Sequence, residues 1–310
     1  MSEYTLELLR ELKNKPLEEK IILSKLRITE FYEHYKGNVI VSFSGGKDST
    51  VLLHLVRSLY SKTKAVYCDT GLEAPEVKAH VKQTDNVEII RPQMSFREVL
   101  DTYGWLVPTK DIAYKIYYAR RGKQWARFAF QGLDNKGNPS AFRKHCAKWA
   151  YLVDAPFNIS SMCCDIMKKR PFAKYLRSIQ GGAYIGTLAE ESQLRRNSWL
   201  RTGCNAFSKG HSMPLSFWTE QDILRYIKEN NINIPTIYGE IINTNGKLSL
   251  TGVTRTGCMF CPAGVHREKY PNRFQRMATT HPKIYDYCLN KLGLKEVLDY
   301  IGVDYIPHDK

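Results

Sequence analysis

The 310-residue sequence is short of acid: 31 Asp and Glu stand against 46 Lys and Arg, a formal net charge of +15. That imbalance favours polyanionic partners, namely nucleotides, nucleic acid or an anionic surface, over a basic protein that is merely soluble. The sequence has no apolar run near the roughly 18 residues that span a bilayer, which excludes a membrane-crossing helix read from hydropathy. Its first twenty residues, MSEYTLELLRELKNKPLEEK, are charged throughout and lack an apolar signal core. A cytoplasmic protein with no membrane partner is therefore expected. Internal repeats and low-complexity stretches are missing too, and 43% hydrophobic against 25% charged residues rules out global disorder. At about 150 residues per domain, the length fits one large domain or two smaller ones. Such a chain buries roughly three quarters of its unfolded surface and needs no disulfide framework to fold.

Cysteine is not scarce. The eight are Cys68, Cys146, Cys163, Cys164, Cys204, Cys258, Cys261 and Cys288. In a cytosolic chain of this size, clustered cysteines more often bind metal or do redox chemistry than pair with one another.

The chain begins with a helical pattern. Pro16 suits a first helical position, Ile21, Ile22, Leu26, Phe31 and Tyr35 recur at roughly helical spacing, and Gly37 closes the end, so 1–36 is expected as an N-terminal helical segment. VIVSF (39–43), KAVYCD (64–69) and NVEII (86–90) read as strands, with helices over 49–60 and 75–82 between them. This alternation predicts an α/β fold with a doubly wound, mostly parallel sheet over 37–237. Residues 104–150 interrupt it as a basic, aromatic insertion. Between Lys110 and Lys148 ten Lys and Arg stand against Asp111 and Asp134. CCDIMKKRPFAKYLRS (163–178) reads as helix with a break near Pro171, AYIGT (183–187) as a strand, and 218–231 as a helix with Thr219 as N-cap and Asp222 in a weak capping box. Residues 238–310 are expected to be a C-terminal region that carries a cysteine motif, loop-rich to Pro271 and helical beyond.

FSGGKDST (43–50) lies between a strand and a helix. Consecutive glycines let the backbone turn so that several N–H groups face one anion, and the following helix adds the positive end of its dipole. Lys47 supplies a point charge, Ser44 and Ser49 supply hydroxyls, and Asp48 suits a divalent metal or the orientation of the loop. The Walker pattern fails, because position 41 is Val and position 48 is Asp. A plain glycine turn is the alternative.

SGGKDS resembles the PP-loop of the adenine nucleotide alpha-hydrolase superfamily, a Rossmann-like fold whose members cleave ATP between its α and β phosphates. VYCDTGLEAPEV (66–77) resembles the second-strand motif of the phosphoadenosine phosphosulfate (PAPS) reductase-like branch. IGTLAEESQLRR (185–196) resembles a Gly…Ser…Arg segment whose arginine contacts the anionic end of the nucleotide; read without the resemblance, it is a helix start with a charged face. The resemblance covers roughly residues 35 to 265. It implies nucleotide contacts from Ser42, Phe43, Ser44, Gly45, Gly46, Lys47, Asp48 and Ser49, from Asp69, Thr70 and Gly71, and from Gly186, Glu191, Arg195 and Arg196. Lys47, Asp48 and Arg195 take the catalytic roles, with ATP and Mg²⁺ as ligands.

Cys163-Cys164 and Cys258-x-x-Cys261 resemble the set that holds a [4Fe-4S] cluster in adenylyl-sulfate reductases, with Lys168, Lys169 and Pro171 after the pair and Gly257 before the second motif. Two adjacent thiolates suit a cubane, which offers each a different iron, better than a single tetrahedral Zn²⁺. Zn²⁺ and reduced structural thiols remain the alternatives. Cys146 and Cys204 lie in basic contexts that favour a low thiol pKa, and are candidates for a redox or sulfur-carrying thiol.

The resemblance leaves the reaction open. Sulfonucleotide reductases use a nucleophilic cysteine in a C-terminal motif resembling Glu-Cys-Gly-Ile/Leu-His, whereas this sequence ends IGVDYIPHDK and its last cysteine, Cys288, sits in an amphipathic helix pattern. The loop is intact and keeps Lys47. Both points favour an ATP pyrophosphatase that activates a substrate for sulfur transfer, similar to enzymes of DNA phosphorothioation and tRNA thiolation. The basic segment 110–148 then holds DNA or tRNA, and a cysteine desulfurase or another donor supplies sulfur. As an alternative, that segment is a solvated helical insertion with aromatics packed on the core. A sulfonucleotide reductase using Cys146, Cys204 or a thiol in trans, and a non-catalytic nucleotide-binding module, are the rival functions.

Overall fold

Alternate side chains along the strands face two different apolar layers, which gives the sheet its two buried sides. A computed structural model of the chain describes residues 4–308. In chain order the elements begin with α1 (Leu6–Asn14), α2 (Leu17–His34), β1 (Val39–Ser42), α3 (Lys47–Arg57), β2 (Lys64–Cys68), α4 (Pro75–Gln83) and β3 (Val87–Ile90). Then come α5 (Phe96–Tyr103), α6 (Lys110–Ala119), α7 (Gln124–Phe130), α8 (Lys144–Ala147), a π-helical turn at Asp165–Lys169, α9 (Arg170–Ile179), β4 (Gly182–Ile185) and α10 (Gln193–Thr202). The chain continues with β5 (Asn205–Ala206), β6 (His211–Ser212), α11 (Glu220–Glu229), β7 (Ile241–Thr244), β8 (Lys247–Leu250), α12 (Arg273–Thr280), α13 (Pro282–Asp286) and α14 (Leu294–Tyr300). None of the helices is long and apolar enough to cross a membrane, among the described residues.

These elements form two compact units. The first holds the chain up to Asp69, Glu73–Arg91 and Pro171–Gly257; the second holds Thr70–Leu72, Pro92–Arg170 and the chain from Cys258 on. Of the segments expected from sequence, 1–36 lies in the first unit, while 37–237 and 238–310 each contribute to both. Packing decides membership, not chain order.

The first unit is an α/β layer structure. Its sheet runs β3-β2-β1-β4-β6-β5, parallel except for the edge strand β5. Val39, Val41 and Phe43, with Tyr67 and Tyr184, face a core completed by Phe31, Leu55, Trp199 and Trp218. Ile40, Val66 and Ala183, in between, face Phe172, Tyr175, Leu176 and Ile179 on α9. The N-terminal helices belong to the first of these cores: Lys20 on α2 is buried and pairs with Asp222 at 2.6 Å, and Trp218 Nε1 donates to Ser24 Oγ at 2.9 Å. The capping box at Thr219 is made in both directions, with Thr219 Oγ1 accepting from Asp222 N–H and Asp222 Oδ2 from Thr219 N–H.

Two local expectations are corrected here. Pro171 does not break its helix. It is the second residue of α9, in the first turn where proline is tolerated, and the irregularity is the π-helical turn just before it. The stretch after Tyr238 is not all loop, because β7 and β8 form an antiparallel hairpin whose turn, Asn245-Gly246, has positive φ at both residues. Asn-Gly between β-prone residues was the signal for it.

The second unit is helical. Its core gathers Val107, Ile112, Ile116, Phe130, Trp149, Leu152, Met167, Phe274, Leu294 and Leu298. The basic segment is folded into it, and part of its charge is spent internally. The Arg120 guanidinium donates to the carbonyls of Leu152, Val153, Ala155 and Phe157, Lys115 is buried against Asp111, and Arg121 lies over the Tyr117 ring.

Candidate functional site

The first unit carries a glycine loop at the place where open α/β sheets bind ligands. Strands β2 and β3 lie on one side of β1, and β4, β6 and β5 on the other, so the strand order reverses between β1 and β4. Ligands of such sheets sit at the carboxyl ends flanking that reversal. Here those ends lead into residues 43–46 and 186–192.

Sterics fix the loop's sequence. Gly45 has φ +73°, and a Cβ there would stand 2.7 Å from Val81 Cγ2 and 2.8 Å from Val77 Cγ1. A Cβ on Gly46 would meet Thr256 Oγ1 at 2.9 Å and Tyr238 Oη at 3.0 Å. Hydroxyls then hold the shape. Ser49 Oγ accepts from Ser44 N–H at 3.2 Å and donates to the Gly46 carbonyl at 2.9 Å. Tyr238 Oη accepts from Lys47 N–H at 3.1 Å and lies 2.8 Å from Thr256 Oγ1.

Lys47 opens α3 and is only 3% exposed. Its ammonium lies 3.1 Å from Asp48 and 3.7 Å from Glu220. The charge is therefore prepaired, and Asp48 sits in an anion loop as the partner of its lysine. On the β4 side, Ser192 caps α10, and Glu191 forms a close ion pair with Arg195 while Arg255 approaches it at 3.7 Å. Burial and the nearby Arg255 hold the Arg195 guanidinium below its usual range, and the Asp48 charge opposes them. Two guanidinium groups, one ammonium and three carboxylates thus lie around the ends of β1 and β4.

Gly186 serves packing. A Cβ there would stand 3.0 Å from the Asp48 carbonyl oxygen and 3.2 Å from Ser49 Cα, so this glycine lets β4 run close against α3. Phe43 sends its side chain into the core, Ser42 is half-buried in β1, and Arg196 is exposed. Asp69 pairs with Lys78 at 3.4 Å and Arg91 at 3.8 Å. Thr70 and Gly71 belong to the second unit, where Thr70 Oγ1 accepts from Leu72 N–H and Gly71 has φ +78°.

The second unit carries the other site. Cys163, Cys164, Cys258 and Cys261 all line one cavity, walled by Leu72, Phe96, Trp105, Phe260 and Pro262. The first pair precedes the π-helical turn, and the second lies in a tight turn closed by Cys261 N–H to the Cys258 carbonyl at 3.1 Å. Burial pushes the Cys163 thiol far up, and Cys164, Cys258 and Cys261 push it further, against Lys168. Burial raises Cys261 as well. Arg273 donates to the Cys261 carbonyl at 2.9 Å. Four thiols lining one apolar cavity are the donor type that an iron–sulfur group uses, and such a group offsets the penalty on buried thiolates.

The family profile of the phosphoadenosine phosphosulfate reductase domain matches residues 38–106 and 90–264. This chain belongs to that family. An uncharacterised protein of Methanocaldococcus jannaschii is 23% identical over 296 residues, 90% of this chain and 54% of the relative. An adenosine 5'-phosphosulfate reductase of Staphylococcus haemolyticus is 22% identical over 211 residues, 65% of each chain. The chain thus spans about half to two thirds of the length of these relatives. A solved structure, the phosphoadenylyl-sulfate (PAPS) reductase from Candida auris in a phosphate complex, aligns at a TM-score of 0.39 and 13% identity, covering 78% of this chain and 97% of that one.

Within this family member, sequence reasoning missed Tyr238, Thr256, Arg255 and Glu220 around the loop. Arg255 and Thr256 had a signal, since they immediately precede the Cys258 motif. Tyr238 and Glu220 had none, because their role arises only from packing against Lys47. Cys204 departs from the expected low pKa: it is buried beside Ser216 at 3.4 Å, and burial raises its thiol.

Proposed function

We propose that the chain binds Mg-ATP on the loop Ser44–Ser49 and cleaves it to AMP and pyrophosphate, activating a substrate for sulfur transfer. The observation that carries this is Lys47, buried at the N-terminus of α3 in an intact glycine loop with Asp48 beside its ammonium. A polyphosphate would take the ammonium from the two carboxylates, and Asp48, once released, is placed to hold Mg²⁺. A substrate oxygen attacks the α-phosphorus, and Lys47 offsets the charge on the departing pyrophosphate, which Mg²⁺ would neutralise further if Asp48 held it. Arg195 serves the phosphoryl oxygens. The terminal sulfur of a donor persulfide, such as one formed on a cysteine desulfurase, then displaces AMP, and a thiol reductant cleaves the resulting disulfide so that the sulfur stays on the substrate. Cys163, Cys164, Cys258 and Cys261 would hold a [4Fe-4S] cluster, or Zn²⁺, which supplies electron transfer or a sulfur-binding metal when bound. Nucleic acid is the acceptor this reading favours. Lys110, Arg121, Lys123, Arg127, Lys136, Lys144 and Lys148 of the basic segment are exposed, and Phe142 stands 79% exposed among them, suited to phosphates and base stacking.

A second reading has support of its own. Relatives in the same family are named adenosine 5'-phosphosulfate reductases. That reaction needs a nucleophilic thiol. Cys288 does not suit it, being fully buried with its thiol pushed up by burial. Cys146 is fully buried as well, so the reading falls to a thiol supplied in trans.

One experiment separates the two. Anaerobically purified protein is incubated with Mg-ATP, and separately with adenylyl sulfate or PAPS and a thiol reductant. AMP with pyrophosphate in the first supports the proposal. Sulfite in the second replaces it with the reductase, and intact nucleotides in both leave a binding module.

A further inference from the structure

A second group of metal-ligating side chains lies in the helical unit, away from the four-cysteine cavity's own residues. Asp111 stands in the first turn of α6, and His145 and Cys146 are consecutive on α8. Their ligand atoms all lie within 4.8 Å of one another. His145 Nε2 is the hub, 3.4 Å from Cys146 Sγ and 3.4 Å from Asp111 Oδ2.

We propose that Asp111, His145 and Cys146 form a Zn²⁺ site with one open coordination position. Three observations carry it. The separations are those of a tetrahedral ion: Zn–S of about 2.3 Å with Zn–N and Zn–O of about 2.0–2.1 Å places neighbouring donors about 3.3–3.6 Å apart. The outer contacts are those metal ligands use. His145 Nδ1 lies 2.8 Å from the Phe142 carbonyl, to which it donates its N–H, so Nε2 of the neutral ring keeps its lone pair towards Cys146 and Asp111. Lys115, one turn along α6, holds the Asp111 carboxylate in place. The donor set is the third. A thiolate with an imidazole selects a borderline-soft ion over Mg²⁺ or Ca²⁺.

Access also fits. Asp111 and His145 are exposed and Cys146 is fully buried, so the ion enters from solvent and the thiol closes the site from within. Binding releases the thiol proton to solvent and puts a thiolate on the metal. Three protein ligands leave a fourth position for water, a thiol or a phosphoryl oxygen, the pattern of reactive rather than purely structural zinc. The proposal does not depend on which nucleotide the first unit takes.

The test is a titration of the reduced, chelator-treated full chain with Co²⁺ and then Zn²⁺, following thiolate-to-cobalt absorbance and stoichiometry. It runs in parallel on His145→Ala, Asp111→Asn and Cys258→Ser. His145 is exposed, so His145→Ala keeps the fold; Asp111→Asn takes the counter-charge from buried Lys115, and circular dichroism checks the fold of both variants. The expected result is that His145→Ala and Asp111→Asn each lose one bound ion or weaken it at least tenfold, while Cys258→Ser retains that ion. Wild-type protein that binds no ion overturns the proposal. So does unchanged stoichiometry and affinity in His145→Ala, or loss of all bound metal in Cys258→Ser.

Discussion

The glycine loop and the four-cysteine cavity solve opposite electrostatic problems. Around the loop, charges are paired within their own unit: Lys47 sits between Asp48 and Glu220, and Glu191 between Arg195 and Arg255. A ligand there exchanges partners. In the cavity, four thiols are gathered in an apolar pocket, and burial together with their neighbours drives Cys163 and Cys261 towards the neutral form. A cation there changes the ionisation of the protein itself. The first arrangement is held by hydrogen bonds and ion pairs of the protein itself; the second is expected to draw folding free energy from what it binds.

The sharpest test of this contrast is Cys258→Ser. It should abolish iron binding in anaerobic preparations and lower the thermal midpoint of the second unit by about 10 °C or more, several kcal/mol, while ATP affinity changes little. Calorimetry with iron analysis measures both, and an unchanged midpoint would break the contrast. Next in size is Lys47→Ala, expected to weaken ATP binding by about 10- to 100-fold, about 1.4–2.7 kcal/mol, with iron content intact. Nucleotide titration decides it, and unchanged affinity would sink the loop's role. Gly186→Ala pushes a methyl group against the Asp48 carbonyl and should cost about 1–3 kcal/mol in the first unit, read as a shifted urea midpoint. A silent variant would mean that β4 and α3 separate freely.

The smallest effect concerns pH. Burial lowers the pKa of His54, His80 and His211 in the first unit and of His266 in the second. A histidine held neutral in the fold contributes stability above its unfolded pKa of about 6.5, and that contribution is lost as pH falls through this value, where the unfolded chain takes the proton first. The first unit should therefore lose more stability than the second between pH ~7.5 and ~5.5. Calorimetry at the two pH values, with His80→Gln flattening the response, checks this; equal losses would contradict it.

Much of the first unit was legible in the chain. β-branched runs between helical patterns gave β1, β2, β3 and β4 within a residue or two, because strands of a sheet buried on both faces leave short apolar runs that survive in sequence. SGGKDS was legible because a loop that turns this tightly tolerates few side chains. Gly186 was legible as a special position, but not as a packing glycine, since the backbone it approaches is more than a hundred residues away. The basic segment misled in part: Lys115 and Arg120 are charged residues that the fold uses internally, and composition counts them with those that face solvent.

The amino-acid sequence by itself determined the alternation of strands and helices, the glycine loop and the presence of two cysteine pairs, because each depends on neighbours within a few residues. Only the tertiary structure decided that Cys163 and Cys258 share a cavity, that Tyr238 and Glu220 attend Lys47, and that Asp111 meets His145 and Cys146. Those meetings are set by which apolar faces bury one another, and burial acts without regard to distance along the chain.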